Sequence, residues 1–149
     1  MLVGFNPPFG SRDMQNSWKE ANQLNKEAIF AALATAGITE VTVPFDGYGD
    51  SGQIDDMTAR VDDRSVELPN VLVTIHERSY SPADAVESVQ QPLREAVETL
   101  CYDYLEDSHP GWEIDGGSYG EFHFDVRGRT VRLEYNARIT EILTEEDEF

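Results

Sequence analysis

Cysteine is nearly missing from this chain: Cys101 is the only one. No internal disulfide can form, so the fold must hold by packing alone, which suits a reducing cytoplasm. Basic residues are scarce, 11 against 29 acids, for a formal net charge of -18. A surface of that sign repels phosphates and attracts basic proteins or cations, so direct nucleic-acid binding is not expected. The same charge can also serve solubility alone. No apolar run approaches the roughly 20 residues of a membrane span. The first residues, M-L-V-G-F-N-P-P-F-G, lack the basic flank of a secretory leader. A soluble cytoplasmic protein is the expectation.

At 149 residues the chain suits one domain burying roughly two thirds of its unfolded surface. The most patterned stretch is Trp112 to Asn136, a strand, a glycine-rich loop and a hairpin. Phe122, Phe124 and Val126 alternate with Glu121, His123 and Asp125; past Arg127-Gly128, Val131, Leu133 and Tyr135 alternate with Thr130, Arg132 and Glu134. A two-residue loop at Arg127-Gly128 would set Phe124 opposite Val131, Phe122 opposite Leu133 and His123 opposite Arg132. A slip of one residue would expose the apolar face, so burial fixes the register.

Residues 1–12 read as an irregular arm. Ser17 and Glu20 form a capping box, and Trp18, Ala21, Ala28, Ala32, Leu33 and Ala36 recur at helical spacing until Gly37, predicting a helix over 13–36. Val41, Val43 and Phe45 make a strand whose Pro44 points to an edge or a bulge. After an Asp- and Gly-rich connection, Ile54 and then Met57, Ala59 and Val61 form the returning strand, with a bulge at their change of face. A polar turn at 62–65 precedes a strand with Val71, Val73 and Ile75 aligned. Ser81-Pro82 offers a helix start, with a kink or a second, longer helix near Pro92. Leu93, Ala96, Val97, Leu100, Cys101, Tyr104 and Leu105 form an apolar stripe ended by His109-Pro110-Gly111. The predicted fold is therefore α+β: a single domain over 13–142, an antiparallel sheet with two main helices packed on it, order α-β-β-(β)-α-β-β-β, and an acidic tail over 143–149. The similar loops Asp46 to Gly52 and Asp115 to Gly120 hint at a duplication.

Chemical motifs are thin. Gly49-Asp50-Ser51-Gly52 matches the nucleophile string of trypsin-like proteases, but the chain is too short and lacks their paired cysteines. Asp46, Asp50 and Asp55 are hard oxygen donors, yet the glycine and isoleucine fall one position late for an EF-hand, and Met57 stands where its bidentate glutamate belongs. His123, Asp125, Arg132 and Glu134 share a hairpin face and could do acid–base work on a phosphate ester, although any half-buried hairpin needs a polar side. His76, His109 and His123 show no zinc spacing. Cys101 and Trp112 read as core residues. No catalytic residue, metal or cofactor is assigned from the sequence.

The strings G-Y-G-D-S-G-Q-I, C-Y-D-Y-L-E-D-S-H-P-G-W-E-I-D-G-G-S-Y-G-E-F-H-F-D-V and R-T-V-R-L-E-Y-N-A-R together resemble an uncharacterised family of short acidic proteins encoded on bacterial chromosomes, plasmids and phages. The resemblance covers roughly residues 38–60 and 95–140. It implies no activity, only a link with mobile DNA. Members often carry His-Asn where this chain has Tyr135-Asn136, and a more aromatic tail than Glu145 to Phe149; if that histidine serves chemistry in those members, its absence weakens an enzyme reading here.

Charge and resemblance together lead to a non-enzymatic protein that occupies the basic groove of a nucleic-acid-binding host defence or DNA-processing protein, its carboxylates standing in for phosphates. The expected surface comprises Glu98, Asp103, Glu106, Asp107, Glu113, Asp115, Glu121 and Asp125, from a stretch with no Lys or Arg between Arg94 and Arg127. Beside it would lie Asp46, Asp50, Asp55 and Asp56. The alternatives are a small accessory or assembly subunit, self-associating through a strand edge as a homodimer, and a metal-dependent or phosphoester-directed enzyme.

Overall fold

The computed structural model describes residues 10–48, 51–78, 86–113 and 117–138. Along them run α1 (Gly10–Thr35), β1 (Glu40–Tyr48), β2 (Ser51–Ile54), β3 (Thr58–Val61), β4 (Arg64–Val66), β5 (Leu72–Arg78), β6 (Val86–Pro92), α2 (Leu93–Ser108), β7 (Ser118–Asp125) and β8 (Thr130–Ala137). All described pairings are antiparallel, and the fold is α+β, as the sequence predicts. The strands form a six-stranded sheet in the order β4-β3-β1-β7-β8, with β2 also on β1, and a separate β5-β6 ribbon. No described helix is long and apolar enough to cross a membrane. The chain divides into two compact units, residues 1–32 with 70–100 and residues 33–69 with 101–149.

In the first unit, the buried positions of α1 are Ala21, Asn22, Asn25, Ile29 and Phe30. The alanines counted from sequence mark this face only loosely, because larger side chains decide which face is buried. The helix begins at Gly10, so residues 10–12 are helical and Ser17 lies inside the helix rather than capping it. Nothing between Gly10 and Gly37 breaks the run. Residues 1–9 of the expected arm lie outside the described residues. Asn25, fully buried, donates from Nδ2 to the His76 carbonyl at 3.0 Å and accepts the His76 N–H on Oδ1 at 2.8 Å. That amide satisfies the strand edge that β6 leaves open, which a buried polar side chain must do to offset its own desolvation.

Val86–Pro92, expected as helix, is β6, paired with β5 from Arg78↔Val86 to Leu72↔Pro92. The Val-x-x-Val spacing of V-E-S-V-Q-Q suits either state, and the ribbon decides it. The Ser81-Pro82 start lies outside the described residues. Helix α2 does start after Pro92: the Leu93 N–H donates to the Val71 carbonyl at 2.9 Å. Val71 is itself exposed, while Val73 and Ile75 are buried with Leu93, Ala96, Val97 and Leu100. Gln91 ties ribbon to helix, donating to Glu77 at 2.8 Å and accepting from Thr99 at 3.1 Å.

The second unit begins with the last turn of α1. Gly37, at φ +77°, lets its N–H reach the Ala34 carbonyl and the Ile38 N–H reach that of Leu33, each at 3.0 Å, a Schellman closure with Leu33 and Ile38 buried at its ends. Strand β1 is central rather than an edge. It pairs with β7 from Glu40↔Asp125 to Gly47↔Ser118, and on its other side with β3 over 40–42 and β2 over 45–48. Pro44 falls at the break between β3 and β2, where its missing N–H leaves no ladder bond unmade; its carbonyl accepts Asp55 N–H at 2.8 Å. The core face carries Val41, Val43, Phe45, Ala59, Phe122 and Phe124, with Trp112 packed on Phe45 and Tyr104 on Phe122; Cys101 and Leu105 are buried too.

The predicted hairpin register holds: Phe124↔Val131, Phe122↔Leu133 and His123↔Arg132. The turn differs. Positive φ falls on Arg129 (55°) rather than Arg127, and Arg129 N–H closes onto the Val126 carbonyl at 3.3 Å. The loop is thus four residues around 126–129, which spares Arg127 the left-handed conformation that a two-residue loop demands. Residues 112 and 113, expected to open a strand, form a turn instead.

Trp112 is held by two glycines. Gly47 and Gly52 are cross-strand partners; a Cβ on Gly47 would lie 2.7 Å from Trp112 Cε3, and one on Gly52 2.5 Å from Cη2. The indole therefore occupies space that any other residue pair would fill. Phe45 meets it edge-on at 5.7 Å, its Nε1–H donates to Glu106 at 3.3 Å, and its carbonyl accepts the Ser118 hydroxyl at 2.7 Å.

Gly52→Ala should destabilise by about 1–3 kcal/mol through overpacking and red-shift Trp112 emission in a Trp18→Phe background; an unchanged urea midpoint would count against the seat. Asn25→Ala, which strands both polar groups of His76, should cost about 1–3 kcal/mol, read as a lower urea midpoint at constant slope.

Candidate functional site

Alternation in the second unit leaves the side of the sheet opposite the core open. Odd residues of β1 and even residues of β7 turn inward, so Glu40, Thr42, Pro44 and Asp46 face outward beside Tyr119, Glu121, His123 and Asp125. Asn136, Glu134, Arg132 and Thr130 of β8 continue the row. His123, Asp125, Arg132 and Glu134 thus do share a face, and Glu40, which the hairpin alone could not disclose, joins them across the β1–β7 pairing.

Two grooves lie on this face. One, of about 500 Å³, is lined by Thr39, Glu40, Asp62, His123, Arg127 and Arg132 among others. Its walls are two hairpin turns. Asp62, at φ 57°, donates its N–H to the Thr39 hydroxyl at 2.8 Å, and its carboxylate meets Arg127 at 3.0 Å. Both members of that pair are exposed, so it shapes the rim more than it stabilises the fold. The second groove, of about 490 Å³, is bordered by Asp46, Asp55, Tyr119, Glu121, Glu134 and Arg138. Arg138 binds the end of β1 to the start of β7: it donates to the Gly47 carbonyl at 2.7 Å and to Asp46 Oδ1 at 2.8 Å, and its guanidinium lies 5.0 Å from the Tyr119 ring.

On the ridge shared by the grooves, Glu121, His123 and Glu134 bring one ligand atom each to within 4.8 Å of one another. His123 Nε2 lies 3.2 Å from Glu121 Oε1, and Glu121 and Glu134 are direct cross-strand partners. An imidazole beside two carboxylates can exchange protons or ligate a cation.

The acids expected to share one surface are parted by the sheet. Asp103, Glu106, Asp107 and Glu113 belong to α2 and the turn after it, on the core side, where Tyr104 stacks on Phe122 and His109 on Tyr135. Glu113 is half-buried, with one oxygen that has no hydrogen-bond partner. Glu121, Asp125 and Asp46 are on the open side, and Asp46 is paired with Arg138. Asp55 accepts from Gln53 at 3.0 Å, and Asp56 is exposed. Glu98 belongs to the first unit; desolvation raises its pKa, with Arg94 opposing and Glu95 reinforcing the rise. Asp50 and Asp115 lie outside the described residues.

Burial against the sheet, reinforced by Cys101 and Asp103, pushes the Tyr104 phenol up to about 12. The unfolded chain releases that proton near the ordinary value of 10.0, so stability is full below it and falls as pH rises towards 12. Tyr104→Phe should remove this part of the alkaline loss, measured as urea midpoints across that range.

The family model described as a family of unknown function (DUF6878) matches residues 21–149, and the chain belongs to that family. Neither a curated protein nor a solved structure matches it.

Proposed function

We propose that this DUF6878 member is a non-enzymatic acidic protein that binds a basic, nucleic-acid-binding partner, its carboxylates competing with phosphates for the partner's groove. A host defence or DNA-processing protein in the cytoplasm is the class of partner meant. The observation that carries the reading is arithmetical: were every one of the 11 bases paired with an acid, the chain would still hold an excess of 18 carboxylates. An uncompensated charge of that size steers a basic partner towards it and repels nucleic acid.

The helix side is the better candidate surface. No Lys or Arg occurs between Arg94 and Arg127, whereas the open side carries Arg132 and Arg138 close to its acids. Asp103, Glu106 and Asp107 are therefore the residues assigned to the contact. Competition would be steric and electrostatic, with no chemical step.

A second reading, a small assembly subunit, draws on β8, which ends the six-stranded path with no further strand partner among the described residues. An uncovered edge is a template for pairing. A dimer that survives high salt would favour it.

The test is capture from a lysate of the native host. The triple variant Asp103→Asn, Glu106→Gln, Asp107→Asn removes charge but keeps an acceptor for the Trp112 N–H. The wild type should capture basic nucleic-acid-binding proteins that added duplex DNA displaces. Their affinity should fall at least ~10-fold between about 50 and 200 mM salt, and the triple variant should lose them. Capture that ignores salt, DNA and the three substitutions would overturn the reading.

A further inference from the structure

The open face holds a feature that charge competition does not use. Glu121 and His123, two residues apart on β7, and Glu134 on β8 offer two carboxylates and an imidazole on one face of adjacent strands. Their ligand atoms lie within 4.8 Å of one another. An ion held at roughly 2.0–2.2 Å by tetrahedral nitrogen and oxygen donors needs its ligands roughly 3.4 Å apart, so binding draws the three side chains together by up to roughly 1.4 Å. The placement also has an electrostatic oddity: Glu121 and Glu134 are direct cross-strand partners, a like-charged pairing that destabilises a bare hairpin. A cation between them turns that repulsion into attraction.

We propose that Glu121, His123 and Glu134 form a binding site for one divalent first-row transition-metal ion, with zinc the best fit. The imidazole sets the class. Magnesium and calcium take oxygen donors almost exclusively, whereas a nitrogen with two carboxylates matches zinc or manganese. His123 is restrained, its side chain only 22% exposed and already 3.2 Å from Glu121, so little freedom is lost when it ligates. Three protein ligands leave coordination positions open, and the two grooves, holding His123 on one side and Glu121 and Glu134 on the other, give water or a small anion access to them. Arg132 and Arg138 border those grooves and suit an anion that bridges to the metal.

The proposal is independent of partner binding, because it uses the opposite side of the sheet from Asp103, Glu106 and Asp107. Its test is calorimetric titration of the full chain with zinc in physiological salt and excess magnesium, which suppress diffuse condensation on an acidic surface. Wild type should bind one equivalent. His123→Gln and Glu134→Gln should each weaken binding at least ~10-fold without lowering the urea midpoint, and Asp125→Asn, an acid on the same face outside the cluster, should leave it unchanged. Manganese added below stoichiometry should broaden the His123 imidazole signals before those of His76 and His109. Absence of zinc binding, equal affinity in His123→Gln and Glu134→Gln, or uniform broadening of all three histidines would overturn the site.

Discussion

The fit of one indole against two glycines governs the sheet unit. Trp112 covers the cross-strand pair Gly47 and Gly52 so closely that a methyl group on either would enter its ring. Because the turn after α2 must deliver that ring to that spot, the end of the helix, the β1–β2 hairpin and the start of β7 are fixed together. The Glu106 carboxylate accepts the indole N–H, the Ser118 hydroxyl donates to the Trp112 carbonyl, and Arg138 donates to the Gly47 carbonyl and to Asp46. Phe45 then lies between Trp112, Phe122 and Tyr135, which carries the constraint into the core.

The strings by which the family resemblance was seen are largely packing strings. In G-Y-G-D-S-G, Gly47 and Gly52 make room for Trp112; in G-W-E-I, Trp112 fills it; in Y-N-A-R, Tyr135 and Arg138 brace its surroundings. None of these residues needs a reaction to explain it. Acidic side chains lie both on α2 and on the open side of the sheet. A protein arranged this way can keep its scaffold while its two surfaces acquire different tasks.

Much of the fold was legible because burial dictates it. The hairpin register followed from alternation, since any slip would have exposed Phe122 and Phe124, and the stripe from Leu93 to Leu105 located α2. Other features were not legible, because the local signal did not decide them. Val86–Pro92 became a strand through pairing with β5. Ser17 and Glu20 looked like a cap although the helix ran through them. Pro44 pointed to an edge or a bulge; the strand is central, and the proline falls at the irregular break between β2 and β3. The site was half legible. Period-two spacing placed His123, Asp125, Arg132 and Glu134 together, but the β1–β7 neighbours and the parting of the acids by the sheet depend on strand order, which no local pattern encodes.

The dependence of the sheet unit on the indole–glycine fit is tested most directly by a double-mutant cycle joining Gly52→Ala to Trp112→Phe, followed by urea unfolding. The smaller ring should leave room for the methyl group. The cost of Gly52→Ala is then expected to shrink by at least ~1 kcal/mol in the Phe background, a coupling of the size seen between touching residues. Additive costs would mean that the two positions do not meet, and would contradict the arrangement described.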